Sequence, residues 1–413
     1  MTDLSAGCVQ HTLDVAPPLL PTTVLRNDAE AIAAARQLAA SVRLSAAKRD
    51  RDRQLPWSEI EQFTRSGLGG ISVPRAYGGA QVSFVTVAEV FRILSAADPA
   101  VGQIPQNHFG ILNSLIGSAS ESQKKALFTG ILHGWRIGNG GPERGTKNTL
   151  DIRTRLTADG DQFLLNGQKF YSTGALFAHW VAVKALNDEG KQVLVFIERG
   201  TPGLHIVDDW SGFGQRTTAS GTVLLENVRV SGELVIENWK LGLAPSIQGA
   251  VSQLIQAAID AGIAREAIDD SIAFVKERSR PWIEANVERA SDDLYVIADI
   301  GKLKLELHAA EALLRKAGCV LDEIAASPIT EQSAARASIV VAEAKVLTTE
   351  IALLASEKLF ELAGSRATLA EFNLDRHWRN ARVHTLHDPV RWKVHAVGAY
   401  HLNGALPARH SWI

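Results

Sequence analysis

The sequence predicts an α+β multidomain fold, with an N-terminal helical domain, a middle β-domain and a C-terminal four-helix bundle. Residues 29–134 are rich in Ala and other helix formers, and residues 135–236 alternate strand-like runs with Gly-bearing turns. After Trp239 the apolar residues return to helical spacing. Since 413 residues exceed what one hydrophobic core usually fills, we expect three domains, at 29–134, 135–236 and 237–413, after an arm at 1–28.

Composition excludes several classes of function. The chain is 46% hydrophobic and 21% charged, which is typical of a soluble globular protein. A net charge of −2 provides no positive field for nucleic acid or an anionic membrane. No run approaches the roughly 18 apolar residues of a membrane span, and the first 20 residues lack the pattern of a signal peptide. We therefore expect a cytoplasmic protein that binds neither nucleic acid nor membrane.

Sulfur is scarce in this chain, which has one Met and two Cys, Cys8 and Cys319. Two cysteines so far apart in sequence predict neither a metal cluster nor a disulfide framework. Three explanations remain open: codon bias, since Leu and Ile replace Met in cores; avoidance of an oxidisable side chain; or synthesis of the protein when sulfur is short.

The predicted N-terminal domain opens with an Ala-rich helical stretch after Asp28. Pro56 followed by Trp57 is typical of a helix start. The segment 67–79, GLGGISVPRAYGG, predicts a break in the helices, and another helical run follows it.

In the predicted β-domain, polar and apolar residues alternate over Asp151–Leu156. Asn166-Gly167 lies between two strand-like runs and predicts a hairpin turn. Val193–Ile197 and Thr222–Leu225 predict two further strands.

Long amphipathic segments follow. Apolar residues from Ile300 to Leu314 recur three and four positions apart. Between Thr330, a predicted N-cap, and Gly364, a predicted C-terminal stop, one helix is apolar on two faces. Such a helix needs cover from its own bundle and from a partner subunit.

Several segments together resemble the acyl-CoA dehydrogenase superfamily: GLGGISVPRAYGG at 67–79, NGQKFYSTG at 166–174, GTVLLENVRV at 221–230 and the closing helices. Gly138–Gly140, Asp208–Trp210, Arg278–Trp282 and Trp378–Pro389 resemble one branch of it, the reduced-flavin-dependent monooxygenases typified by dibenzothiophene monooxygenase. The C-terminal sequence from His387 to Ile413 is similar to the sulfur-acquisition oxidoreductases of this branch.

The resemblance implies one half of a two-component system. A separate NAD(P)H:flavin reductase would supply reduced FMN, with FAD as the other possible flavin, and dioxygen would add to form a C4a-hydroperoxyflavin. The enzyme would then oxygenate a small organosulfur compound during sulfur acquisition, as a homotetramer. The sulfur-poor composition agrees with such a role. The sequence has no Gly-x-Gly-x-x-Gly motif after a strand and no metal-binding constellation, so neither direct use of NAD(P)H nor a metal is predicted.

By the same resemblance, His384 and His387 face the flavin, bond its peroxide and shuttle the proton, since imidazole both donates and accepts near neutral pH. The alternative is two histidines at a helix end without a role. Ser172 and Thr173 would contact the N5–C4 edge of the flavin; as an alternative, they satisfy a local turn. His108 matches a pocket histidine of the family less securely.

The remaining predicted site residues bind the cofactor. Asn139 would bond a flavin carbonyl or ring nitrogen, with a left-handed turn residue as the alternative. Tyr171 would contact the flavin, and Trp210 would wall the flavin or the substrate, with ordinary core packing of Trp210 as the alternative. Three arginines are candidates for the flavin phosphate, which in this superfamily commonly belongs to a neighbouring subunit; solvated helix-face arginines are the alternative. They are Arg278, Arg280 and Arg366.

A second function remains open, namely an FAD-dependent acyl-CoA dehydrogenase with Asp388 as the base. Many dehydrogenases carry a Glu in a Tyr-Glu-Gly-Thr-like segment near the end of the chain. Residues 387–390 here read His-Asp-Pro-Val, so the carboxylate is shorter and a proline replaces the glycine. A third alternative is a flavin-binding scaffold without catalysis.

Overall fold

The computed structural model describes residues 16–413. The first 15 residues of the predicted arm lie outside the described residues, and so does Cys8.

The N-terminal part is helical, as predicted. Its helices are α1 (Asp28–Arg43), α2 (Ala46–Asp52), α3 (Trp57–Arg65), α4 (Phe84–Ala97), α5 (Pro99–Gln103), α6 (Gln106–Ser118) and α7 (Glu121–Leu132). The predicted start at Trp57 is confirmed. Between Gly67 and Gly79 the chain forms only two short 3-10 turns, which confirms the predicted break.

The middle part is an eight-stranded sheet. Its strands are β1 (Ile137–Gly140), β2 (Arg155–Asp159), β3 (Gln162–Lys169), β4 (Trp180–Leu186), β5 (Gln192–Glu198), β6 (Leu204–Ile206), β7 (Val223–Val230) and β8 (Val235–Ile236). Seven strands follow the order β6-β7-β3-β2-β4-β5-β8, and β1 pairs in parallel with β4. The predicted strands at Val193–Ile197 and Thr222–Leu225 lie in β5 and β7, whereas β2 begins only at Arg155.

The predicted Asn166-Gly167 hairpin is wrong, because both residues lie inside β3. The turn between β2 and β3 is at Gly160 instead, where φ is +66°. Opposite Asn166, β7 carries a bulge, and the Asn166 Oδ1 accepts a hydrogen bond from the Asn227 N–H at 2.7 Å. Tertiary pairing with β7 therefore uses the asparagine to fix a bulge rather than to make a turn.

Five helices form the C-terminal part: α8 (Gln248–Glu277), α9 (Leu294–Ala325), α10 (Glu331–Ala363), α11 (Asp375–His384) and α12 (Arg391–Asn403). Thr330 caps α10, because its side chain accepts from the Ser333 N–H, and α10 ends directly before Gly364. Both sequence predictions at the ends of α10 are thus confirmed.

Helix α8 is the central element of the molecule. It packs against α9 and α10 of its own bundle, against α4, α5 and α6 of the N-terminal part, and against α11. Apolar residues cover nearly all of its circumference, yet Asp260 lies in the middle of it and is fully buried. A buried carboxylate in such a helix needs a charged partner.

Candidate active site

The segment that follows β3 is held by the end of β1. The Asn139 N–H donates to the Thr173 carbonyl at 3.2 Å, and the Asn139 side chain donates to the Tyr171 carbonyl at 3.2 Å. The Asn139 Oδ1 also accepts from the Gly141 N–H at 3.0 Å. Asn139 therefore fixes the three predicted flavin-contacting residues 171–173, and its side-chain groups have partners within the chain.

Thr173 begins a chain of buried hydroxyls. Its Oγ1 lies 2.6 Å from the Ser220 Oγ, which lies 2.7 Å from the Thr218 Oγ1. Thr218 donates to the Gln215 carbonyl at 3.0 Å. Because a carbonyl only accepts, the protons run in one direction, from Thr173 to Ser220 to Thr218. The Thr173 oxygen is thus left as an acceptor toward any further group, while the buried Ser172 hydroxyl has no partner within residues 16–413.

Aromatic rings stand beside this segment. Tyr171 is half exposed and has φ +59°, a left-handed conformation that is strained for a bulky residue. Its ring centroid lies 6.1 Å from that of Trp210, whose indole N–H donates to the Gln215 carbonyl at 2.9 Å. The two rings form a wall beside the residues that follow β3.

The loop that carries Trp210 and Gln215 docks on α11. The Gln215 N–H donates to the Asn380 Oδ1 at 2.7 Å, and Phe213 stacks on Trp378. His384 follows Asn380 by one helical turn, so it lies on the same side of α11. The loop therefore connects the residues that follow β3 to α11, the helix that carries His384.

His384 belongs to a buried ionic network. Its Nδ1 lies 2.5 Å from the Asp260 carboxylate, which also accepts from the Lys345 ammonium at 2.8 Å and from the Thr349 hydroxyl at 3.1 Å. Burial raises the pKa of Asp260, but the ammonium and the imidazole outweigh it and hold that pKa below its usual value. Burial lowers the pKa of His384. The ring is thus neutral with its proton on Nδ1, and its buried Nε2 has no partner in the described chain.

His387 follows His384, with 4.7 Å between the ring centroids. Its Nδ1 donates to the His384 carbonyl at 2.6 Å, and its Nε2 lies 3.2 Å from the Gln103 amide nitrogen of α5. One side of the residue is open to solvent. The dense packing on the other side, and then the neighbouring His384, lower its pKa to about 4.

The contacts of Asp388 do not leave its carboxylate free to act as a base. Its carboxylate is buried and lies 2.7 Å from the buried Lys393 ammonium, which also donates to the Trp412 carbonyl at 2.9 Å. Both carboxylate oxygens have poor hydrogen-bond geometry toward their described neighbours. The ion pair anchors the turn between His387 and α12.

In the structure, both ring nitrogens of His108 form hydrogen bonds with backbone groups of the protein. Its Nδ1 accepts from the Ile137 N–H at 3.1 Å, and its Nε2 donates to the Gly69 carbonyl at 2.8 Å. Burial lowers its pKa to about 4, so the ring stays neutral. Both nitrogens join β1 to the N-terminal helices and leave none for a cofactor, so the geometry does not support the predicted role of His108.

Two of the three predicted phosphate-binding arginines lie together, but far from the histidines. The Arg278 and Arg366 guanidiniums lie 5.1 and 5.9 Å from the Phe372 ring centre. Both are exposed, as is the nearby Arg280. Arg278 directly follows α8, eighteen residues beyond Asp260, which corresponds to about 27 Å along the helix. This group cannot reach a ligand held at the histidines of its own chain unless that ligand is very long.

Four site residues were missed by sequence reasoning, and two of them left a signal. Asp260 is the one charged residue in 248–264, and Lys345 shares the largely apolar run 337–347 with Glu343, patterns that favour buried charges. Gln103 and Ser220 carry no such signal, because each acquires its place through contact with a distant segment.

Two absences concern residues 16–413 only. No group of three or more His, Cys, Asp or Glu side chains there is arranged to hold a metal ion. Nor is any helix in that range both long and apolar enough for a transmembrane segment.

Comparison with known families agrees with the order of the three parts. Residues 27–134 match the model of the acyl-CoA dehydrogenase N-terminal domain, 142–228 that of the middle domain and 254–392 that of the C-terminal domain.

Similarity to individual proteins indicates to which branch of the superfamily the chain belongs. The dibenzothiophene monooxygenase of Rhodococcus erythropolis is 33% identical over 92% of this chain and 95% of its own. The FMN-bound structure of TdsC from Paenibacillus sp. A11-2 has a TM-score of 0.88 at 29% identity, covering 93% of this chain and all of the other. The methanesulfinate monooxygenase MsuC of Pseudomonas fluorescens has a TM-score of 0.85 at 29% identity over 92% and 99%. The chain therefore belongs to the acyl-CoA dehydrogenase superfamily and, within it, to the flavin-dependent monooxygenase branch.

Proposed function

We propose that this protein is a reduced-FMN-dependent monooxygenase that oxygenates a small organosulfur compound during sulfur acquisition. One observation carries the proposal: the imidazoles of His384 and His387 are adjacent, and each carries its proton on Nδ1. The Nε2 of each ring is therefore the nitrogen that can accept a proton. The named activities of the relatives, on dibenzothiophene and methanesulfinate, support the substrate class.

The residues present fit a flavin. The buried Ser172 hydroxyl and the His384 Nε2 lack partners in the described chain, and the Tyr171 and Trp210 rings, which meet edge to face, offer apolar surface next to Ser172. We assign Ser172, Thr173, Tyr171 and Trp210 to the isoalloxazine ring. When bound, reduced FMN supplies the two electrons with which dioxygen is activated.

The two histidines accept and return the proton that the reaction transfers. In the neutral rings each Nε2 is an acceptor, so each can take a proton and later return it. The Asp260 carboxylate stabilises the imidazolium that would form on His384, while burial and then the Lys345 ammonium lower the pKa of His384 and keep this charge from being favoured at rest. Burial of the His384, Ser172 and Thr173 side chains keeps solvent from these three groups.

Thr173 supports a preference for reduced flavin. Reduced isoalloxazine carries a hydrogen on N5 and oxidised isoalloxazine does not, and the Thr173 oxygen is left as an acceptor by the direction of the hydroxyl chain. We expect Ser220→Ala to free the Thr173 proton and to weaken the preference for reduced over oxidised FMN by about 5-fold or more, which corresponds to roughly 1 kcal/mol. Anaerobic titration with both forms measures the ratio. Thr201→Ala, at an exposed hydroxyl, is the control. An unchanged ratio in Ser220→Ala would remove Thr173 from the selection.

No observation favours the dehydrogenase alternative. It needs Asp388 free to abstract a proton, and the Lys393 ammonium neutralises that carboxylate within the protein. Under the proposed function, Asp388→Asn perturbs the turn after His387 but does not remove a reacting group.

We further propose a homotetramer in the cytoplasm that receives its flavin from a separate NAD(P)H:flavin reductase. Two features support assembly. Helix α12 buries only Lys393, while Trp392 is 61% and Leu402 84% exposed. The arginine group of Arg278, Arg280 and Arg366 also lies too far from its own histidines, as expected if it binds the FMN phosphate of a neighbouring subunit.

Arg366→Ala is therefore expected to raise the dissociation constant for reduced FMN by about 10-fold or more, since a charged hydrogen bond contributes roughly 1.5–3 kcal/mol. Anaerobic fluorescence titration measures the constant. Arg36→Ala, at an exposed arginine of α1, is the matched control. Equal affinities in the two variants would show that the phosphate binds elsewhere.

The proposed function is tested by coupling the protein to a flavin reductase with NADH and FMN and offering methanesulfinate, dimethyl sulfone and dibenzothiophene in turn. Oxygenated product with one of them, in proportion to NADH consumed, supports the proposal. Reduction of bound flavin by an acyl-CoA, with no oxygenated product from any sulfur compound, would overturn it.

A further inference from the structure

Gln103 reaches the histidine pair from another domain. It is the last residue of α5, its side chain is 4% exposed, and its amide nitrogen lies 3.2 Å from the His387 Nε2. Its Oε1 is buried with no hydrogen-bond partner in residues 16–413. A buried amide with one atom on an imidazole and the other unpaired calls for an explanation.

The chemistry of the neighbours fixes the direction of this contact. The His387 Nδ1 lies 2.6 Å from the His384 carbonyl, which can only accept, so Nδ1 carries the hydrogen. In the neutral ring Nε2 is then an acceptor, and the Gln103 NH2 must be the donor. Were His387 an imidazolium, its Nε2–H would meet the NH2 of the amide in this orientation, and the buried amide would have to turn over to present its Oε1 instead.

We propose that Gln103 is a positioning residue that holds His387 neutral, with Nε2 as the proton acceptor, until a ligand at the site draws the amide away. The proposal deepens the proposed function and rests on it only for placing His387 at the reacting centre. The amide opposes a second proton while it remains at Nε2, so His387 can receive the proton that the reaction releases only after the ligand has drawn the amide away. The unpaired Oε1 gives the amide a free acceptor with which a ligand's hydrogen-bond donor can engage it.

Burial and the neighbouring His384 also lower the pKa of His387, but neither places a hydrogen-bond donor at its Nε2. His384 of α11 is neutral and unable to donate from Nε2, whereas Asp260 of α8 and Lys345 of α10 carry opposite charges that are paired with each other. Among the side chains that surround His387, Gln103 is the one with a hydrogen-bond contact to Nε2 in the described structure.

The test uses the flavin-free protein. Hydrogen–deuterium exchange at C2 of the histidine rings, followed by mass spectrometry across a pH series, gives a titration midpoint for each histidine. Gln103→Glu places a carboxylate at Nε2 and is expected to raise the midpoint of His387 by one unit or more, because a nearby opposite charge stabilises the imidazolium. Gln106→Glu is the control, since Gln106 is similarly buried and its Oε1 forms no hydrogen bond in the described structure. We expect it to move the midpoint by less than half as much.

Gln103→Asn provides a second variant if Gln103→Glu does not fold. It withdraws the amide by one methylene, so that water, which accepts as readily as it donates, replaces the donor. The midpoint should rise in the same direction, by a smaller amount. Equal midpoints in the wild type, Gln103→Asn and Gln103→Glu would overturn the proposal. Since this measurement needs no flavin, its failure leaves the oxygenation assay free to decide the proposed function.

Discussion

Replacing His387 with alanine is expected to divert most of the electrons of reduced FMN into hydrogen peroxide and to lower the yield of oxygenated product by about 100-fold or more, the usual contribution of general acid–base catalysis. The ring contacts Gln103 and the His384 carbonyl, and its removal leaves no group at that position to accept and return the proton. Flavin affinity should change by less than about 2-fold. The ratios of product and of peroxide to NADH, measured with a flavin reductase, check the expectation.

His205→Ala is the matched control, because His205 lies on β6, is partly exposed and has Glu226 as its neighbour rather than any member of this network. It should leave both ratios unchanged. If His387→Ala couples electrons to product as well as the wild type does, then His387 has no place in the reaction.

Asp260→Asn is expected to lower the free energy of unfolding by about 3–5 kcal/mol, the usual cost of leaving one partner of a buried ion pair without its counter-charge. Lys345 is 1% exposed and would remain buried beside a neutral amide. The same substitution leaves one acceptor oxygen where Asp260 has two, so the His384 Nδ1–H and the Lys345 ammonium would compete for it. Urea unfolding followed by tryptophan fluorescence measures the change.

The double variant Asp260→Asn with Lys345→Met should recover a large part of that loss, because replacing both members of a buried pair is often nearly neutral. Asp159→Asn is the surface control: its pairing with Arg229 is exposed, so we expect a change below about 1 kcal/mol. A loss below about 1 kcal/mol in Asp260→Asn would contradict the assignment of this network as a buried ion pair.

The order of the three parts could be predicted from the sequence because each part has its own characteristic spacing of apolar residues. The spacing of apolar residues after Ile300 and the capping residue Thr330 describe helices whose stability is set by nearby residues. The Asn166-Gly167 pair shows where this fails. A strong local turn signal was overridden by pairing with β7, which lies 60 residues further along the chain.

Only those parts of the candidate site that lie within one short segment could be predicted from the sequence. His384 and His387 lie within one segment, so a resemblance in that segment placed both. Their partners come from elsewhere: Asp260 from α8, Lys345 from α10 and Gln103 from α5. No spacing in the sequence relates these residues, because only the packing of whole helices brings them into contact.

The reach of Gln103 across 284 residues has a consequence for recombination among relatives. A chimaera that joins the amino-terminal portion of one homologue to the carboxyl-terminal portion of another exchanges the amide without its imidazole. Such hybrids can pack well, and yet the side chain at position 103 no longer matches the imidazole at position 387. Gene-shuffling libraries should therefore transfer Pro99–Gln103 and the segment 384–388 as one linked unit.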